Sequence, residues 1–208
     1  LVGTTTGFNG TLPQSELDNY NIDYSRGAIY QIVQANKAGT DWFHELFSSA
    51  PITSHTVSAS GGSDKSNYLF SMGYFNQQGT LLNTFLKRYS VRSNTTFNIK
   101  DNIRIGENAY LFYKENPQIG NLNEGNEISN TYRMQPIVPV YDIKGGFGGA
   151  KAVGLGNGSN PVASRIRAAD NKGYSWNVTG NVFAEVDFLK HFTARSSFGG
   201  NMSNYYYY

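Results

Sequence analysis

"KRYSVRSNTTFNIKDNIRIGENAYLFYKEN", residues 87–116, decides how this chain is read. Val91, Ser93, Thr95, Phe97 and Ile99 fall on one side of a period-two pattern, and Arg92, Asn94, Thr96 and Asn98 on the other. Successive side chains of a strand point to opposite faces, so the pattern predicts a strand with one apolar and one polar side. It resumes after Asp101, where Ile103, Ile105, Ala109 and Leu111 alternate with Arg104, Gly106, Asn108 and Tyr110. The two arms make a hairpin of long strands whose polar side is too hydrophilic to line a packed core.

The same two-sidedness recurs on either flank. In "SNYLFSMGYFNQQG", Tyr68, Phe70, Met72 and Tyr74 share one face, with Leu69, Ser71 and Gly73 on the other. In "YSWNVTGNVFAEVDFLK", Trp176, Val178, Val182, Ala184, Val186 and Phe188 oppose Asn177, Thr179, Asn181, Glu185 and Asp187. "HFTARSSFGGNMSNYYYY" sets Phe192, Ala194, Phe198 and Met202 against Thr193, Arg195, Ser197 and Asn201. Residues 1–51 read as a loop with two short helices, around "AIYQIVQANKAG" and "TDWFHELFSS"; 52–114 as about four strands; 115–172 as one long loop; and 173–208 as about two strands.

The connections alternate. They run short at "GGSDKS", long at "NQQGTLLNTFLK", short at "KDN", very long from Glu115 to Lys172, and short at "LKH". An antiparallel meander with tight turns at one end and long loops at the other is the pattern of an outer-membrane barrel, with periplasmic turns and extracellular loops. In that reading Val91, Phe97, Ile99, Val178, Val182 and Val186 face lipid, while Arg92, Arg104, Arg195, Glu185 and Asp187 line the lumen. Tyr89, Tyr113, Tyr174, Trp176 and Tyr205 to Tyr208 gather toward the long-loop ends and Phe188 and Phe192 at a short turn, as interfacial girdles would. A secreted soluble β-sandwich that binds glycans is the alternative; it predicts strands of about 5–6 residues and a charged outer face.

Composition narrows the partners. Only 15% of the 208 residues are charged, against about 25% in ordinary soluble domains, and Tyr (15) and Gly (23) are abundant. A net charge of +2 without a Lys/Arg cluster points away from nucleic acid. With no cysteine there is no disulfide scaffold and no thiolate metal site. No run of about 18 apolar residues could form a membrane helix, which leaves β-strand spans open. "LVGTTTGFNG" lacks the basic start and apolar core of a signal peptide, so the chain reads as cut from something longer.

Four blocks, "GTDWFHELFSSAPITSHTVSASGGSDKSNYLFSMGYFNQQGTL", "RMQPIVPVYD", "NPVAS" and "NVFAEVDFLKHFTARSSFGGNMSNYY", resemble in order and spacing the barrel of SusC/RagA-type TonB-dependent transporters of Bacteroidetes outer membranes. The resemblance spans about residues 39–206. It implies an all-β transmembrane antiparallel barrel of about 22 strands with a plugged lumen, of which this chain supplies about six. It further implies import of an oligosaccharide or oligopeptide, a SusD-like surface lipoprotein as lid, energy through TonB by a region outside this chain, and no enzymatic step or cofactor. Six strands cannot close a barrel, and an open edge in lipid would leave backbone groups unsatisfied, so the resemblance makes the chain part of a larger one.

Chemistry-bearing motifs are sparse. Asp41, His44 and Glu45 in "DWFHEL" lack the second histidine of a zinc helix, and a capped surface helix accounts for them. Glu124, Glu127 and Asp142 read as loop acids rather than a glycosidase pair. "KGGFGGAKAVGLGNGSN" lacks the G-K-S/T ending of a phosphate loop. Tyr132, Arg133, Tyr141, Asp142 and Phe147 are the candidate substrate contacts: rings stack on sugar faces and the polar groups bind hydroxyls. Pro136 and Pro139 give the same stretch a second reading, as a rigid structural loop.

Overall fold

The computed structural model describes residues 2–5, 20–23, 28–33, 38–117, 119, 123–142, 145–150 and 154–208, the first three segments as backbone only. The chain divides into two compact units interleaved in sequence. One takes residues 1–49, 80–83 and 119–169; the other takes 50–79, 84–118 and 170–208.

The second unit is a six-stranded antiparallel sheet in chain order, β4 to β9. Its strands are β4 (Ile52–Ser63), β5 (Ser66–Gln78), β6 (Phe85–Lys100), β7 (Ile103–Pro117), β8 (Lys172–Phe188) and β9 (Phe192–Tyr207). From β6 on they are 15–17 residues long, far beyond the strands of about 5–6 residues usual in a sandwich. The short turns are Asp64–Lys65, Asp101–Asn102, and Leu189–His191, the last with Leu189 and Lys190 in the left-handed region. The β5–β6 connection is shorter than expected. Residues 79–84 alone link the strands, because "NQQ" and "FLKRY" extend β5 and β6 instead of looping out.

Register holds the period-two pattern across all six strands. One row runs Val57, Met72, Val91, Leu111, Val178, Met202; the next but one runs Gly61, Tyr68, Thr95, Glu107, Val182, Phe198. On the opposite face run Ser58, Ser71, Arg92, Tyr110, Thr179, Asn201 and Ser60, Leu69, Asn94, Asn108, Asn181, Gly199. A slip of one residue in any strand would exchange its two faces, so the alternation specifies the pairing. Gly106 sits where the chain needs no side chain: a Cβ would lie 2.5 Å from both the Thr95 carbonyl oxygen and the Phe183 ring. Phe183 covers that glycine, and the Arg195 guanidinium lies 4.0 Å from the Phe183 ring centre.

The first unit contains a small antiparallel sheet of order β1-β3-β2, from β1 (Val2–Thr5), β2 (Tyr20–Asp23) and β3 (Ala28–Val33). Over Ala28–Val33 the helix expected at 28–39 is therefore corrected to a strand, while 34–37 lie outside the described residues. Ile29, Ile32 and Val33 fit helical spacing, but β-branched side chains with Tyr30 between them favour the extended chain. The second expected helix forms as α1 (Trp42–Leu46), capped by Asp41. Within 115–172, which carries no clear periodicity, α2 (Glu127–Arg133) and α3 (Pro161–Arg167) begin at the asparagine caps Asn126 and Asn160.

These helices surround a core of Trp42, Met134, Val138, Val140, Ala150, Leu155 and Val162. Buried polar groups stitch it together. Thr40 Oγ1 donates to Val138 O (2.7 Å), Trp42 Nε1 to Gln135 O (3.2 Å), and Asn160 Nδ2 to Val140 O (2.8 Å) and Gly148 O (2.9 Å). Arg165 has no exposed surface. Its Nε and Nη2 donate to Leu82 O and Asn83 O, both at 3.1 Å, and Nη1 lies 3.5 Å from Glu127 Oε1. One cation thus ties the 80–83 segment to α2 and α3.

Candidate functional site

The sheet offers two surfaces of opposite chemistry. Val91, Phe97, Val178, Val182 and Val186 share the apolar one through the register. Ile99 falls at the register shift between Asn98 and Lys100 and has no partner in the ladder. Large apolar groups stand open there: Val57 is 75% exposed, Met72 66% and Phe198 82%. A contiguous apolar surface of this kind marks an interaction with a partner or a membrane.

Rings bound this face at both ends. Toward the long connections, Tyr74, Tyr89, Tyr113 and Trp176 follow one another across four strands, with centroid spacings of 5.2, 6.4 and 4.6 Å. Tyr174 and Tyr206 stack just beyond them at 5.3 Å. Phe188 and Phe192 stack at 5.8 Å beside a short turn. The terminal tyrosines do not all join the belt. Tyr205 and Tyr207 pair with Ser175 and Gly173 on the polar face, because a run of identical residues in a strand must alternate.

Glu107 breaks the apolar face. Its Oε1 accepts from Ser93 Oγ (2.6 Å) and Thr95 Oγ1 (3.2 Å), which explains two hydroxyls on an otherwise apolar side of β6. The signal was present in the sequence as an acid between Ile105 and Ala109, in phase with both.

The polar face carries a hydrogen-bonded network at mid-height. Asn108 Nδ2 donates to Asn181 Oδ1 (2.9 Å), Asn201 Nδ2 to Thr179 Oγ1 (2.7 Å), and Thr179 Oγ1 to Asn177 Oδ1 (3.0 Å). Near the short turns, Arg104 Nε reaches Glu185 Oε2 (3.0 Å), its Nη1 and Nη2 reach Asp187 (2.7 and 3.1 Å), and Arg195 Nη1 reaches Glu185 Oε1 (2.9 Å). Four of the five lumen candidates therefore brace one another. Arg92 stands apart, its guanidinium 5.1 Å from the Tyr110 ring centre.

In the other unit, the structure separates the five candidate contacts. Tyr132 projects from α2 and is 77% exposed. Arg133 is engaged as a brace, donating to Glu124 O (2.6 Å) and Asn157 Oδ1 (2.9 Å). Tyr141, Asp142 and Phe147 come together: Tyr141 and Phe147 form an antiparallel bridge with rings 5.5 Å apart, and Asp142 Oδ1 accepts from Gly146 N at 2.7 Å. Arg167, which sequence reasoning missed, lies 5.5 Å from the Phe147 ring centre. Asp41, His44 and Glu45 lie exposed on α1. Asp41 accepts from His44 N (3.1 Å) and lies 2.6 Å from His44 Nδ1; these hydrogen bonds hold its carboxyl below the ordinary 3.8.

No protein-family model matches the chain. TonB-dependent receptor P3 of Formosa agariphila is 26% identical over 200 residues, covering 93% of this chain and 19% of that protein. TonB-dependent receptor P26 of the same organism is 29% identical over 164 residues, 79% of this chain and 16% of its own length. TonB-dependent receptor SusC of Bacteroides thetaiotaomicron is 28% identical over 105 residues, 50% of this chain and 10% of its own. Among solved structures, the RagAB peptide transporter superposes with a TM-score of 0.66 at 23% identity, and the RagAB peptide importer in its closed-closed state with 0.65 at 23%. Each superposition covers 84% of this chain and 20% of the matched chain. The chain thus spans about a fifth or less of the length of the proteins it matches. Two-faced strands, ring-bounded apolar surface, sequence relatives and shared fold agree: the chain is similar to a partial barrel segment of SusC/RagA-type TonB-dependent transporters.

Proposed function

We propose that this segment is part of the wall and outer loops of an outer-membrane importer in a Bacteroidetes bacterium. The importer takes up oligosaccharides or oligopeptides with a SusD-like lipoprotein as lid, and is driven through TonB by a region outside these residues. The observation that carries the reading is the sheet itself: long strands in register, with one ring-bounded apolar face and one polar face. Such a sheet spans lipid only when its ladder closes on further strands.

In this reading the short turns at 64–65, 101–102 and 189–191 face the periplasm. The connections at the opposite strand ends, 79–84 and 118–171, are then extracellular, and Tyr132 and the Tyr141–Phe147 pair in the second of them offer rings to cargo. Relatives support import as a class: they carry the names of TonB-dependent receptors and of a peptide importer.

Disrupting the parent gene and following uptake of labelled oligosaccharides and oligopeptides tests the proposal. Loss of uptake of one class, restored by the intact gene, with the protein recovered in the outer-membrane fraction, is the expected result. Recovery of the intact protein as a detergent-free soluble species would favour the glycan-binding sandwich instead.

A further inference from the structure

On the upper part of the polar face, between the row of Ser54 and that of Ser60, the charges are all of one sign. Arg88 and Lys114 face each other across the β6–β7 ladder, and Arg92 lies on the same side of β6. Like charges directly opposite one another destabilise a sheet. No Asp or Glu occupies these rows on this face, and none of the ion pairs among the described residues includes Arg88, Arg92 or Lys114. Both arginines rest on rings of the same face: Arg88 is 5.4 Å from the Phe75 ring centre and Arg92 5.1 Å from that of Tyr110. Cations so oriented, with no counter-charge among the described residues, complement an anion.

The surroundings narrow the anion. Beside Arg92 lies a hollow of about 640 Å³ lined by Asn94, Asn108, Tyr110, Thr179 and Asn181. Asn108, Asn181 and Thr179 are pre-oriented by hydrogen bonds among themselves and with Asn177 and Asn201, so a ligand would meet them with little ordering cost. Tyr110 and Phe112, rings 5.8 Å apart, present flat apolar surface beside them. Neutral hydrogen-bonding groups outnumber the cations. A sugar carries neutral hydroxyls on every ring, whereas a peptide offers neutral polar groups mainly along its backbone.

We infer that this stretch of the polar face binds an acidic oligosaccharide. Arg88, Lys114 and Arg92 take its carboxylate or sulfate groups, the asparagines and Thr179 take hydroxyls, and Tyr110 and Phe112 take apolar sugar faces. The inference deepens the import reading and rests on it for the identity of the bound molecule as cargo.

Calorimetric titration of the intact parent transporter in detergent tests it, with oligogalacturonate, a sulfated oligogalactan, neutral oligogalactose of matched length and an oligoglutamate peptide. At least one acidic sugar should bind more tightly than the neutral one, and its affinity should fall as salt rises. R88Q/K114Q, and R92Q alone, should each weaken that binding by about tenfold to hundredfold, the worth of a hydrogen bond to a charged group, while K65Q at a short turn leaves it unchanged. If R88Q/K114Q does not fold, as judged by gel mobility before and after heating, R92Q decides. Equal affinity for acidic and neutral sugars, no binding of either acidic sugar, or unchanged affinity in the folded variants would overturn the inference. Charge-dependent binding of oligoglutamate alone would overturn its sugar assignment. Uptake by cells is read separately: charge-dependent binding without uptake keeps the surface and overturns the import reading.

Discussion

Val182→Arg, placed in a Glu107→Gln background, should destabilise the membrane-inserted barrel by about 2–4 kcal/mol. Along β8, Val182 lies six residues from Trp176 and six from Phe188, the rings that bound the apolar face at its two ends. At roughly 3.4 Å per residue and a tilt of about 40°, it sits ~16 Å from each ring, near the bilayer midplane where a cation costs most. Glu107 must be neutralised first because it is the register partner of Val182, and an arginine there would meet a carboxylate and recover part of the loss. Asn181→Arg, one residue away on the hydrated face, should cost less than about 1 kcal/mol; so should Val186→Arg, only two residues from Phe188. The intact protein would be folded into liposomes and titrated with urea, following tryptophan fluorescence and gel mobility. Equal losses at positions 181 and 182 would refute the assignment of faces, and a larger loss at 186 than at 182 would refute the depth argument.

Three further outcomes are expected. Gly106→Ala should cost about 1–3 kcal/mol in the same titration, because its Cβ would meet the Thr95 carbonyl oxygen and the Phe183 ring; Gly200→Ala, with nothing within 4 Å, should stay within about 0.5 kcal/mol. Arg165→Met should cost the unit around Trp42 about 3–5 kcal/mol by leaving Glu127 and two carbonyls without their cation, read as faster hydrogen exchange in residues 127–167 while β4–β9 keep their protection. Asp41 has a folded-state pKa below 3.8, so its contribution to capping α1 is complete above that value and is lost as pH falls through the lower folded-state value; exchange at His44 N should quicken there in the wild type and be fast at all pH in Asp41→Ala.

Period-two alternation made the sheet legible, since a register slip would turn Val178 and Val182 to the opposite face and the sequence pattern admits one solution. The unit around Trp42 was not legible. Its core joins Trp42 to Met134, Val138 and Val162, positions with no common period, and its connections run through backbone carbonyls that every residue possesses. Arg165 reads as an ordinary helix cation until three segments converge on it. Ala28–Val33 misled because a helical spacing of apolar positions coincided with strand-forming residue types. Of the candidate contacts, Tyr132 shows the exposure a contact needs, whereas Arg133 is committed to Glu124 and Asn157. Arg88 and Lys114 escaped notice because opposition across a ladder depends on the register of two strands together.

The short link at 79–84 gives four of its residues, 80–83, to the unit that holds Arg165 before the chain returns to the sheet. Order of synthesis follows from that detour. The carbonyls of Leu82 and Asn83 leave the ribosome some eighty residues before the guanidinium that will hold them, with β6 and β7 made in between. The unit is assembled from separate stretches of chain, so no single continuous excision or graft can transfer it whole to another barrel.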